Sequence, residues 1–291
     1  MKIGIFANLS KPRAAATLKE LSEAAEDLGV TWVASNREVL RHLPAAVLVP
    51  PERLGRSVSV LLSLGGDGTV LQSVRSLRGA KTPILGINLG NLGFLTSVPD
   101  SQAVAALHGI VENQYRIASY PLLEARLLHG KSRTPLAKAK ALNDIVIGWG
   151  TSPRATMIDV HIEQRSVASY LCDGLIVATP IGSTGHALSA GGPILHRDLP
   201  AVVVEPICPH TLSNRPLVIP NHLPICLRVG KQGKKLLLSV DGQEVGWMDE
   251  QDRLEIRRTA QQAHFIQLPD YSWFRLLTQK LHWRGSSTEP K

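Results

Sequence analysis

Apolar residues follow two different rhythms along this chain. Up to about residue 115, short consecutive apolar runs alternate with stretches in which apolar positions recur every three or four residues. "KIGIFAN" reads as a strand, 14–28 as a helix closed by Gly29, and "VTWVAS" as a second strand, followed by a weaker segment over 36–56. The run 58–64 is β-branched and leucine-rich, too short for a typical helix and too apolar for a half-exposed strand. It predicts a strand buried on both faces. Gly65, Gly66 and Gly68 then mark a turn, and Val70, Val74 and Leu77 fall at helical spacing. "PILGINL" predicts another strand, "GNLGFLTSV" a loop, and 102–115 a helix. Strands alternating with helices predict an α/β N-terminal domain, a parallel sheet with flanking helices.

From 116 to about 258 the rhythm is that of short β segments divided by turn residues: "EARLLH", "DIVIGW", "MIDVHI", "LIVATP", "AVVVEP", "ICLRV" and "LLLSV". The expected organisation is therefore 1–115 as the α/β domain, 116–262 as a β-rich domain and 263–283 as a closing segment helical over 273–281. The tail 284–291 is expected to be disordered.

Composition narrows the classes. The 291 residues are 44% hydrophobic and 19% charged, which excludes a disordered or fibrous chain. No apolar run is long enough to span a membrane, and the opening "MKIGIFANLSK" is too short in its apolar core for a signal peptide, so a cytoplasmic protein is expected. Cys172, Cys208 and Cys226 form no C-x-x-C pair, consistent with reduced thiols. Cys208 and His210 in "PICPH" are two ligands where zinc wants four, so no metal site is expected. The net charge of +8 and a pI near 9.6 suit a phosphate-rich partner. The basic residues are scattered and aromatics reach only 4%, which argues against nucleic acid. The one cluster, "KQGKK" at 231–235, reads as a solvated hairpin tip.

Candidate chemistry gathers at the turns. In "SLGGDGTV", Asp67 lies between glycines where a strand gives way to a helix. Such a helix start favours an anion, so a carboxylate there either caps the helix or has a task, such as holding a metal or accepting a proton from a hydroxyl that attacks phosphorus. "CDGLIVATPIGSTGHALSAGGPIL" repeats the arrangement, with Ser183, Thr184 and Ser189 able to bond a nucleotide or simply to furnish a loop. Asn143 and Asp144 open one strand and Asp173 another, and each is also compatible with an Asx turn. "VDGQEV" is the sequence of a two-residue hairpin turn at Asp241 and Gly242, which leaves Gln243 as either ligand or strand.

Taken in order, "GGDGT", "GINLGNLGFLT", "LND", "DGLIVATPIGSTGHALSAGGPI", "PICPHTLSNRPLVI" and "VDGQ" closely resemble the NAD kinases, over about residues 60–283. "GGDGT" alone is shared with diacylglycerol and sphingosine kinases. The resemblance implies phosphorylation of the 2′-hydroxyl of the adenosine ribose of NAD, giving NADP, with ATP and Mg²⁺ or in some members polyphosphate. It implies a homo-oligomer, dimer or tetramer. It implies Asp67 as proton acceptor with Gly68 beside it at the dinucleotide, and NAD contacts from Asn143, Asp144, Arg154, Asp173, Thr184, Gly185, His186, Ala187, Leu188, Ser189 and Gln243. Departures stand at Ile181, Gly185 and His186, where the family has threonine, alanine and tyrosine, at Asp144 for a common glutamate, and at Leu171 where some members have arginine. A lipid kinase of the diacylglycerol kinase type and a catalytically silent NAD sensor are the rival readings. The first lacks an amphipathic membrane helix.

Overall fold

The computed structural model describes residues 1–148, 150, 155–211, 214–230 and 235–283. The chain divides into two units, Met1–Ser119 with Ala263–Lys291, and Tyr120–Gln262.

In the first unit, β1 (Lys2–Ala7), β2 (Thr31–Ala34), β3 (Val47–Leu48), β4 (Val60–Gly65) and β5 (Ile84–Asn88) form a parallel sheet in the order β3-β2-β1-β4-β5. Between them run α1 (Ala14–Asp27), α2 (Pro51–Ser57) and α3 (Asp67–Ser76), and after β5 come β6 (Val98–Pro99) and α4 (Ala103–Val111). Every residue of β4 and β5 is buried, as the unbroken apolar runs require. One side of this sheet packs on α1 and α4 through Ile3, Ile5, Leu62, Leu64, Leu18 and Leu107. The strand order reverses between β1 and β4, which opens a crevice at their carboxyl ends, the usual ligand position in such sheets. α4 stops short of the predicted 115, because the chain turns at Asn113, whose φ is 57°.

In the second unit, β7 (Arg116–His129), β8 (Ala137–Ala141), β9 (Asp144–Gly148), β10 (Thr156–Ile162), β11 (Arg165–Cys172), β12 (Gly174–Ala178), α5 (His186–Ser189), β13 (Ala201–Ile207), β14 (Leu217–Pro220), β15 (Ile225–Val229), β16 (Leu236–Val240), β17 (Gln243–Met248) and β18 (Asp252–Gln267) follow in order, and β7 and β18 each carry a few residues of the first. One antiparallel sheet runs β14-β13-β12-β9-β16-β17 and a second layer β11-β10-β15-β18, with β7 against β18 and β8. A core between the layers takes Ile145, Leu175, Val202 and Leu238 from the first, and Ile158, Leu227 and Leu254 from the second. The other face of the six-stranded sheet buries Val146, Ile176 and Val203 against Ala187 of α5. The last helix, α6 (Trp273–Leu281), belongs to the first unit and starts at Ser272, whose hydroxyl caps the Arg275 N–H. No helix among the described residues is long and apolar enough to cross a membrane.

Candidate active site

Asp67 is the first residue of α3, the N-cap is Gly66, and no side chain caps this helix. The capping alternative is thereby answered: the carboxylate turns away from its own helix toward the loop after β5. Its Oδ2 accepts the Phe94 N–H at 2.8 Å, and its Oδ1 accepts those of Leu95 at 2.9 Å and Thr96 at 3.2 Å, with the Thr96 hydroxyl at 3.3 Å. Asn88, the last residue of β5, shapes that loop. Its amide nitrogen donates to the Asn91 carbonyl at 2.5 Å and to Thr96 Oγ1 at 2.8 Å, while its amide oxygen accepts the Gly90 N–H at 2.6 Å. Gly93 is obligatory, since a Cβ there would stand 2.0 Å from Asp67 Oδ1. Oδ1 is therefore crowded, whereas Oδ2 accepts the Phe94 N–H and keeps acceptor capacity for a substrate proton. Asp67 is half-buried and Gly68 exposed, at the carboxyl end of β4 beside β1.

In the second unit, register brings three turns to one end of the six-stranded sheet. Ala178 of β12 stands opposite Asp144 of β9, and Val240 of β16 opposite Ile145, so 141–144, 179–185 and 241–243 are neighbours. Asp241 and Gly242 form the hairpin turn with φ of 47° and 72°. The Asp241 carboxylate accepts the N–H groups of Leu142 at 2.9 Å, Asn143 at 2.8 Å and Asp144 at 3.2 Å. From the other side Thr179 donates its hydroxyl to the Leu142 carbonyl at 2.5 Å and its N–H to that of Asn143 at 2.8 Å. Gly182 passes so close that a Cβ would lie 2.1 Å from the Asn143 carbonyl oxygen. These contacts set Asn143 and Asp144 beside the run Thr184–Ser189. Asn143 Oδ1 is buried without a hydrogen-bond partner among the described residues.

Several sequence candidates land differently. The Ser183 hydroxyl is buried and engaged, donating to the Pro180 carbonyl at 2.6 Å and accepting the Leu195 N–H at 2.9 Å, so it closes the loop and is not offered to a ligand. The Thr184 hydroxyl donates to the Ile181 carbonyl at 3.0 Å. Ala187 buries its methyl group in the apolar cluster under α5, leaving only its backbone available. Ile181 is also buried, and its side chain packs inward. Gly185 and Leu188 are half-buried, and His186, Ser189 and Gln243 are exposed. Asp173 is exposed and precedes β12, so it lies at the opposite end of that strand from Thr179, about 20 Å away at the rise of an extended chain. Arg154, most of the "KQGKK" cluster (231–234) and the tail 284–291 lie outside the described residues.

Burial gives this unit unusual acids. Asp144 is pushed up to about 7, first by burial and then by the neighbouring Asp241 carboxylate. Glu205 on β13 is also pushed up to about 7 by burial, and its Oε2 has no partner among the described residues. Burial raises the Cys172 thiol to about 12, which fits an unreactive thiol. Sequence reasoning missed the Phe94–Thr96 amides, because backbone donors leave no side-chain signature. It also missed Glu205, whose signal was a charge inside the apolar run "AVVVEP". Among the described residues, the histidine and carboxylate group with metal-like spacing is His129, Asp249 and Asp252. There Asp252 already bonds His129 Nδ1 at 2.8 Å and the Asp249 N–H at 3.0 Å, closing a turn.

A reversing parallel sheet with a carboxylate on a glycine turn at its switch point, joined to an antiparallel unit whose turns collect amide, carboxyl and hydroxyl groups, defines a two-unit nucleotide-handling class. The comparisons specify it. The family described as ATP-NAD kinase N-terminal domain matches residues 3–115, and ATP-NAD kinase C-terminal domain matches 142–268. The chain is 38% identical to the NAD kinase of Moorella thermoacetica, over 98% of this chain and 90% of that one, and 36% identical to that of Magnetococcus marinus, over 97% and 93%. The chain belongs to the ATP-NAD kinase family. Among solved structures it is similar to yeast NADH kinase complexed with NADH, with a TM-score of 0.90 at 24% identity over 100% of this chain and 90% of that one, a likeness of fold. It is also similar to the Archaeoglobus fulgidus NAD kinase in complex with ATP, with a TM-score of 0.76 at 26% identity over 98% and 100%.

Proposed function

We propose that this chain is an NAD kinase that transfers the γ-phosphoryl group of ATP to the 2′-hydroxyl of the adenosine ribose of NAD, giving NADP and ADP. The observation that carries the reading is the Asp67 carboxylate, held by the amides of Phe94, Leu95 and Thr96 instead of capping its helix. A carboxylate fixed by the backbone of a neighbouring loop is positioned before any substrate arrives, and phosphoryl transfer needs positioning more than covalent help. In this mechanism Oδ2 of Asp67 receives the 2′-hydroxyl proton. The 2′-oxygen forms its bond to the γ-phosphorus, and the bond from that phosphorus to the bridging oxygen breaks, with the electron pair leaving on ADP. Mg²⁺ belongs to the ATP substrate and offsets the charge on its phosphates.

Asn143, Asp144, the run Thr184–Ser189 and Gln243 hold the dinucleotide in this reading, and the gathering of their turns at one sheet end supports it. The orphaned Asn143 Oδ1 supports it further, since a buried acceptor without a partner is costly until a donor arrives. Asp173, a strand length away, joins the set as a contribution from a second copy of the chain, which gives the proposed dimer or tetramer a physical purpose. Arg154 stays in the set on the resemblance alone. The protein works in the cytoplasm in this reading. The test is a panel of acceptors, NAD, NADH and diacylglycerol, each offered with γ-labelled ATP. Label in the 2′-phosphate of the NAD product is the expected result, and label in the lipid would overturn the reading.

A further inference from the structure

The outer face of the β10-β15-β18 layer carries chemistry that the kinase reading leaves unused. Side chains alternate along these strands: Ile158, Val160, Ile225, Leu227, Leu254 and Ile256 enter the core, so Cys226, Arg228, Arg253, Glu255 and Arg257 share the opposite face. A cavity of about 620 Å³ opens there, with His161 and Gln164 at one edge. Glu255 is the one carboxylate in its lining, and three arginines lean on it: Arg253 Nε at 3.3 Å, Arg257 Nη2 at 3.4 Å and Arg126 Nη1 at 3.8 Å. One carboxylate offsets one guanidinium. Arg253 also donates to the carbonyls of Gly130 and Ser132, which fixes its charge in place and leaves one N–H on each terminal nitrogen. No carboxylate lies within 4 Å of Arg228 among the described residues. Asp159, across the strand from Arg228, is engaged by the Ser169 hydroxyl.

Guanidinium groups present paired N–H donors that match phosphate oxygens, and the three arginines of the lining share one carboxylate, which leaves an excess of positive charge for an anion to offset. The lining has no Phe, Tyr or Trp and is dominated by guanidinium groups, whose best match is phosphate oxygen, so a phosphate chain that meets several of them at once fits the cavity. The apolar core lies between this layer and the six-stranded sheet whose end carries the turns of Asn143 and Thr184. We propose that the cavity bounded by Arg228, Arg253 and Arg257 is a binding site for an inorganic oligophosphate chain, distinct from the residues assigned to NAD and not a phosphoryl-donor site. The reading of this face does not rest on the kinase assignment.

Tripolyphosphate is titrated calorimetrically into the full-length protein held in saturating ADP and NADP, for the wild type and for the double variant Arg228→Gln, Arg257→Gln. Both arginines are exposed, and thermal melting checks that the variant folds. The wild type should bind with an affinity that falls as salt is raised, and the double variant should bind at least about tenfold more weakly with its KM for NAD unchanged. Equal affinity in the two proteins, absence of binding, or displacement of tripolyphosphate by ADP would overturn the site. So would a change in oligomeric mass in the double variant without loss of tripolyphosphate affinity, because the face would then be an interface between copies.

Discussion

Asp67 is held by four donors, and that sets what its replacement should do. Asp67→Asn puts a donor group among backbone N–H groups, so besides losing the proton acceptor it should loosen the 94–96 loop. The expected outcome is a fall in kcat of at least about 10²-fold with NAD still bound, read by steady-state kinetics beside calorimetry. Asp144 gives a pH prediction. Its pKa near 7 means that it is protonated in mild acid, whereas hydroxyl donors of a bound ribose favour the carboxylate form, so NAD affinity should weaken as pH falls through 7. Asp144→Asn should bind NAD with little change across that window. Glu205 tests stability. Its folded pKa lies above the ordinary 4.5, so the folded state holds the proton between about 4.5 and 7, and stability is lost as pH rises through that window. Glu205→Gln should melt about 2–4 °C higher than wild type at pH 8 and no higher at pH 4, measured by scanning calorimetry. Of this scale, residue types were legible and partners were not: "GGDG" announced a carboxylate at a helix start, but only the fold shows it facing the amides of a loop 27 positions onward.

At the scale of elements, the site in the second unit depends on two turns bracing a third. Asp241→Ala removes acceptors from three N–H groups at once and should cost about 2–3 kcal/mol while raising the KM for NAD, measured by urea denaturation and initial rates. In the first unit β1, β2, β4 and β5 and the helices α1, α3 and α4 were legible because each is a short apolar run or an amphipathic stretch, whereas β3 and α2 lay hidden in the weaker segment 36–56. α1 and α6 fall where the periodicity put them. The strands β8, β11, β14, β17 and much of β18 were not, because "AKAKA", "RSVASYLC" and "DRLEIRRTAQQAHFIQ" are polar on one face, and sheet pairing, not composition, makes them strands. The Asp241–Gly242 turn was readable from its dipeptide alone, but its carboxylate's grip on 142–144 needed the register.

At the scale of the whole molecule, two units of different architecture carry one family's ordered motifs, and family membership is what a single motif could not have established. The order of motifs was legible in the chain because each fell at a turn. The placing of Asp173 at the far end of β12 was not, since sequence distance hides which end of a strand a residue occupies. The most direct test of the central claim is the rate at which the purified chain, given ATP, Mg²⁺ and NAD, forms a product that a strictly NADP-dependent dehydrogenase can reduce. The account predicts sustained formation of such a product by the wild type and at least about 10²-fold less by Asp67→Asn. NAD that binds but stays unphosphorylated in the wild type, or equal rates in the two proteins, would contradict it.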